Sequence, residues 1–230
     1  GSYPSILDNK DNDEANKLFK DAQKMLRLIS SENQLIAKAI YGIFKARSKN
    51  EEVELLDSNI QFSFPRQLID KGKNPNYCLA DFISPNGDDY IGIFALTTGI
   101  GLEKLVDKYE SEHDDYNSIM VKILADRLAE AAAEWLHEKI RTDDWGYCKN
   151  ENLDSSDLIK EKYVGIRPAP GYPACPNHEE KDKIWKLLNV ESNVGITLTE
   201  SRAMYPTSSI CGWYFSHPNS IYFSALKNII

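Results

Sequence analysis

The residues best placed to do chemistry lie in one stretch, Arg167-Pro168-Ala169-Pro170-Gly171-Tyr172-Pro173-Ala174-Cys175-Pro176-Asn177-His178. Its prolines forbid a regular helix or a sheet ladder, and each holds the residue before it extended. The loop is therefore stiff, with little entropy to lose when something binds. Arg167 supplies a planar fork that matches a carboxylate. Gly171 lets a backbone or a ligand approach closely. Tyr172 offers a ring face and a hydroxyl. Such a loop suits a small zwitterionic ligand. It equally suits a rigid connector whose arginine makes a salt bridge, and the residues alone favour neither.

Other constellations are weaker. Asp126, Glu130 and Glu134 recur every fourth residue and share one helix face, which His137 continues. Glu134-x-x-His137 has the spacing of carboxylate-bridged di-iron bundles, but that chemistry needs a second copy and further carboxylates from other helices. No second copy falls on a convincing helix, so the face reads as solvated charge. Cys175 and His178 could supply two metal ligands, too few to close a zinc site. The sequence has no phosphate-binding glycine motif, no nucleophile elbow and no zinc-protease helix. Tyr222 and Phe223, taken alone, read as ordinary strand residues.

The elements that must position these residues mix helices with paired strands. Residues 13–30 have helical apolar spacing. Residues 39–44 and 53–56 read as strands around a turn at Lys49-Asn50-Glu51, and 60–64 as a short strand ended by Pro65. The runs 77–83 and 89–97 flank Pro85-Asn86-Gly87-Asp88, which predicts a hairpin. The longest helix is expected over 114–141, with Met120, Leu124, Leu128, Ala131, Trp135 and Ile140 as its apolar stripe. Residues 142–152 read as irregular. A helix near 155–163 is expected behind Ser155 or Ser156, and another over 178–189 behind Asn177, with Glu180 as its capping-box partner. Ile184, Leu187 and Leu188 would be its buried face. Strand-like runs return at 196–200, 211–216 and 221–226. Short turns between paired strands, without regular strand–helix alternation, predict an α+β single domain with a mainly antiparallel twisted sheet flanked by helices.

Composition narrows the function classes. The chain has 230 residues, 42% of them hydrophobic, enough to bury a substantial core. With a formal net charge of -8, nothing in the sequence suggests a binder of nucleic acid or of an anionic membrane surface, which needs a basic face. No apolar run approaches the roughly 18 residues of a membrane span. Gly1-Ser2 reads as a cloning scar, and the natural chain is expected to extend upstream. Cys78, Cys148, Cys175 and Cys211 form no CxxC pair and read as reduced thiols in a cytoplasmic protein.

The proline-rich stretch closely resembles the signature of the activation (reactivation) domain of cobalamin-dependent methionine synthase. Three more segments resemble that family in the family's order. Asn76-Tyr77-Cys78-Leu79-Ala80-Asp81-Phe82 is similar to its strand motif. His113-Asp114-Asp115-Tyr116-Asn117, with Leu124-Ala125-Asp126-Arg127-Leu128-Ala129-Glu130-Ala131, is similar to its central helix. Ser209-Ile210-Cys211-Gly212-Trp213-Tyr214-Phe215-Ser216-His217-Pro218 is similar to its C-terminal strand.

The resemblance implies an AdoMet-binding activation domain over residues 1–230, truncated at the N-terminus and the C-terminus. It implies that Arg167 pairs with the carboxylate of S-adenosyl-L-methionine (AdoMet) and that Ala169, Gly171 and Tyr172 line the site. Tyr222 and Phe223 match positions near the ligand, where aromatic rings can cover adenine and attract a sulfonium. Asp126 and Glu130 are implied toward the AdoMet and cobalamin side, and His178 toward a partner module. An acidic residue for the ligand's amino group is expected upstream of residue 1. The implied function is reductive methylation of cob(II)alamin to methylcobalamin, with AdoMet as methyl donor, within methionine biosynthesis. Cobalamin (vitamin B12) would be held by a neighbouring module of the same chain, and the electron would come from a flavodoxin-like donor. The fragment alone is expected to bind AdoMet without turnover. The rival reading is an interaction-only module that docks the cobalamin domain or the electron donor without binding AdoMet.

Overall fold

Two long strands carry the computed structural model, which describes residues 5–8, 13–68, 72 and 74–225. β1 (Ile36–Lys49) and β4 (Asp89–Ile100) pair antiparallel from Ala46 opposite Asp89 to Ile36 opposite Ile100, with one irregularity between Ile36 and Lys38. A turn with Asn50 at φ 58° sends the chain back into β2 (Glu52–Leu55). β3 (Gln61–Ser63) follows at that edge. β7 (Ser209–Tyr214) pairs with the other edge of β4, so the order is β3-β2-β1-β4-β7 with every neighbour antiparallel. β5 (Thr197–Leu198) and β6 (Met204–Tyr205) form a separate ribbon. This is the expected α+β architecture.

β4 is buried from Ile91 through Gly99 because the sheet is covered on both faces. Its side chains alternate between two cores. Ile91, Ile93 and Ala95, with Cys211 and Trp213 of β7, pack against Phe62, Phe64, Leu79 and Phe82 and against α6 (Glu180–Leu188) and α7 (Val190–Val194). Phe94, Leu96 and Tyr214 face α4 (Asp115–Lys139), which meets them through Ala129, Ala133 and Leu136. The alanines let the helix approach closely, and Phe94 stacks on Tyr214 at 4.5 Å between ring centroids. A third core joins the first half of α4 to two more helices, through Met25, Ile29, Leu105, Tyr109, Val121 and Ala125. Those helices are α2 (Asp13–Ser31), which follows the short α1 (Ser5–Asp8), and α3 (Leu102–Ser111).

Several expected elements differ. Residues 77–83 are no strand of a hairpin but enclose a 3-10 turn, Leu79–Phe82. Leu79, Ala80 and Phe82 are all buried, so the apolar run needs no alternation. Asp81 fixes the turn by accepting the Cys78 N–H at 2.9 Å and two hydrogen bonds of 2.7 Å from Arg66. Burial would raise the Asp81 carboxyl, but these bonds outweigh it and hold it below the usual carboxylate range. The stripe of α4 is borne out only in part: Met120, Leu124 and Ile140 are buried as expected, and Leu128 is half-buried. Val121, Ala125, Ala129, Ala133, Leu136 and His137 are buried, whereas Ala131 and Trp135 are exposed. Small residues mark the packed side, which a count of large apolar residues misses. α4 begins at an Asp114 cap and continues as a π-helical turn, Ile140–Asp144, where irregular chain was expected.

The helix at 155–163 shortens to α5 (Ser155–Ile159), and its cap is Asp154, not a serine. Asn177 accepts the Glu179 N–H at 3.0 Å, but Glu180 pairs with Lys183 instead of closing a capping box. α3 and β6 were not foreseen. Residues 221–225 form no strand, because their hydrogen bonds go to the proline-rich loop and to Gln67. Residue 226 lies outside the described residues. All four cysteines are free thiols, and burial pushes Cys78 up to about 11 and Cys175 and Cys211 to about 12. Among the described residues, no helix is long and apolar enough to cross a membrane.

Candidate functional site

The proline-rich loop lies along the free edge of β7. Ile166 and Phe215 exchange two backbone hydrogen bonds of 3.0 Å, and the Trp213 N–H donates to the Pro168 carbonyl at 3.0 Å. Prolines suit this edge because the loop offers its carbonyls to the strand and needs few of its own N–H groups. Gly212 is required beneath it, since a Cβ there would collide with the Pro168 carbonyl. Further on, Gly171 adopts φ 93° and closes a tight turn, donating to Cys175 at 2.8 Å while Cys175 donates to Tyr172 at 2.9 Å. The His178 ring occupies the space a Gly171 side chain would fill.

The loop walls a cleft of about 520 Å³, within the range of small-molecule sites. Its lining includes Arg167, Ala169 and Tyr172 of the loop, Glu130 of α4, Ile210 of β7, Glu161, and Tyr222 to Ser224. The segment 221–225 is tied down across it. The Arg167 N–H donates to the Tyr222 hydroxyl at 3.0 Å, and the Ala225 N–H donates to the Pro173 carbonyl at 2.8 Å. Phe223 packs against Tyr77 and Phe82, with centroids 5.8 and 6.4 Å away. The cleft thus combines aromatic surface, one guanidinium and the two carboxylates of Glu130 and Glu161. A depression of about 270 Å³ adjoins it and shares Glu130, Tyr172 and Ile210. Asp126 lies there, accepting the Ser208 hydroxyl at 2.7 Å.

Beneath the cleft sits a buried charge network. Arg167 donates to Glu134 at 3.3 Å. Glu134 lies 3.8 Å from the fully buried Arg141, which Glu151 grips with bonds of 2.7 and 2.9 Å. The Arg141 guanidinium lies over the Tyr163 ring at 4.4 Å. His137 is buried against Tyr214, 5.1 Å between centroids. Burial first, then the nearby Arg141 and Arg167 charges, hold its imidazole well below the usual histidine range, so it is neutral. The expected solvated face is therefore only half right: Asp126 and Glu130 are exposed, Glu134 is half-buried and His137 is inside. Among the described residues no three metal-ligating side chains converge.

Comparison with known proteins decides the family. The family model for the activation domain of vitamin B12-dependent methionine synthase matches residues 1–229. The chain belongs to this family. A solved structure of the MetH reactivation domain bound to AdoHcy is 49% identical to it, with a TM-score of 0.94, covering 98% of this chain and 72% of that one.

In this activation domain the fold gathers most of the residues singled out in the sequence. Arg167, Ala169, Tyr172, Tyr222, Phe223 and Glu130 all line the cleft. Gly171 shapes the turn without lining it, Asp126 lines the neighbouring depression, and His178 is exposed behind Gly171. Glu161 and Ile210 line the cleft without having been singled out. Glu161 follows α5 at φ 52° in no recognisable motif, and Ile210 reads as core. A larger groove of about 670 Å³ lies between α2, α3 and α4, lined by Lys17, Asp21, Lys24 and Arg27. None of the residues singled out for ligand binding reaches it.

Proposed function

We propose that this activation domain binds AdoMet in the cleft at Arg167 and presents its methyl group to cobalamin held by a neighbouring module of the same chain. The observation that carries this reading is the pairing of opposite charges in one aromatic-walled cleft. Arg167 matches a carboxylate, while Glu130 and Glu161 match the ammonium and sulfonium of the same ligand. The rings of Tyr172, Tyr222 and Phe223 supply surface for adenine and for a cation. The AdoHcy bound by the similar reactivation domain is the product that AdoMet leaves when its methyl is transferred.

The protein's share of the reaction is binding and orientation, so no general base is required. Cobalamin, when bound by its own module, supplies the methyl acceptor, and a flavodoxin-like donor supplies the electron that reactivation needs. The sulfonium sulfur keeps the electron pair of the broken carbon–sulfur bond and leaves as a neutral thioether. The isolated domain binds AdoMet without turnover, because the methyl acceptor lies elsewhere. Free thiols suit the cytoplasm, where they stay reduced. One observation favours docking as a second role: Ile119 and Ile123, one turn apart on α4, are both more than half exposed, at 57% and 55%.

Calorimetry on Arg167→Ala tests the reading. Removing the charged partner should weaken AdoMet binding by about 2–5 kcal/mol while the fold persists. Unchanged affinity would overturn Arg167 as the ligand's anchor, and a wild-type domain that binds no AdoMet would favour the interaction-only module.

A further inference from the structure

A guanidinium recognises a carboxylate well only if its fork is held in place, and the side chain of arginine is long and flexible. The cleft contains two carboxylates, Glu130 and Glu161, that could draw Arg167 out of position. We propose that Glu134, anchored by the buried Arg141–Glu151 pair, is a positioning residue that sets Arg167 for a carboxylate ligand. This rests on the AdoMet reading above.

The geometry carries the argument. Arg167 is only 17% exposed, and the carboxylate holding it is the half-buried Glu134, through Nη2 at 3.3 Å. Its Nε–H is buried with no hydrogen-bond partner. Glu134 in turn has one oxygen on Arg167 and the other, Oε1, 3.8 Å from Nη1 of Arg141. That separation is too long for a hydrogen bond but close enough for charge attraction. Oε1 and Nη1 are likewise buried without hydrogen-bond partners. Arg141 cannot wander, because it is fully buried, gripped twice by Glu151 and stacked over Tyr163. A chain of contacts thus runs from a rigid anchor, through Glu134, to a guanidinium that still has an unmet donor. Two positive and two negative groups balance in it.

The test is the Glu134→Gln variant, which keeps shape and removes charge. Two probes are titrated, AdoHcy and 5′-methylthioadenosine, the second lacking the amino-acid end; NMR titration reads the weaker one. The proposal expects AdoHcy affinity to fall by about tenfold or more, the loss of a charge-assisted contact, with methylthioadenosine unchanged. In an Arg167→Ala background the Glu134→Gln change should add nothing. Equal loss of both probes, or no loss of either, overturns the positioning role and leaves the AdoMet reading standing. A wild-type domain that binds no AdoHcy overturns both. Should Glu134→Gln fail to fold, Glu134→Asp, which shortens the reach to Arg167, is read by the same criteria.

Discussion

Arg167 is held at both ends. Its backbone N–H is fixed by the Tyr222 hydroxyl and its guanidinium by Glu134, so binding need not first order a free side chain. Neighbouring residues do their work through space rather than contact. Gly171 keeps φ 93° and leaves room for His178. Gly171→Ala should therefore destabilise the domain by about 1–3 kcal/mol through backbone strain and the collision with the ring. Thermal unfolding reads this, and His178→Ala should recover only the steric part. His137 gives a pH signature. Its folded value is depressed below the ordinary 6.5, so below that pH the unfolded chain binds a proton the folded one refuses. Its contribution is fully present above 6.5 and is lost as pH falls toward the depressed value. Between pH 7.5 and 5.5 the wild type should lose stability by up to about 1.4 kcal/mol per pH unit below 6.5, and His137→Phe should lose less. Urea unfolding at the two pH values compares them.

At the scale of elements, α4 is the piece on which both core and cleft depend. Its alanine side packs on β4 and β7, and its acidic side supplies Glu130 to the cleft and Glu134 to Arg167. Ala133→Leu should overpack the contact with Phe94 and Tyr214, costing about 1–3 kcal/mol, and lower the melting temperature. The same helix shows what a sequence can reveal. Its existence was legible from apolar periodicity, and its buried side only in part: Met120, Leu124 and Ile140 are buried as expected, but Ala129 and Ala133 carry no hydrophobic bulk and Trp135 faces outward. The strands around the Asn50 turn were legible from their turn chemistry. The segment 77–83 was misread because an apolar run buried on all sides looks the same as a strand. Within the site, the proline-rich loop could be found because it is one contiguous motif. Glu161 and Ile210 could not, and Glu134 was found on the acidic face of its helix without its tie to Arg167, since these roles come from elements that meet only in the folded chain. Tyr222 and Phe223 entered through the family resemblance, as their own pattern is that of a strand they do not form.

For the whole molecule, the arrangement divides labour. One face of the sheet is filled by α6, α7 and the 3-10 turn, the other by α4, and the cleft opens where the loop along β7, the end segment and α4 converge. A domain built this way can hold a small charged ligand on a rigid frame while a separate module brings the methyl acceptor. The most direct test of this account is chemical-shift mapping of the labelled domain as AdoHcy is added. The account predicts saturable shifts concentrated in residues 166–173, in 222–224 and around Glu130, with little change along Lys17, Lys24 and Arg27. Shifts centred on that second groove, or none at saturating ligand, would contradict it.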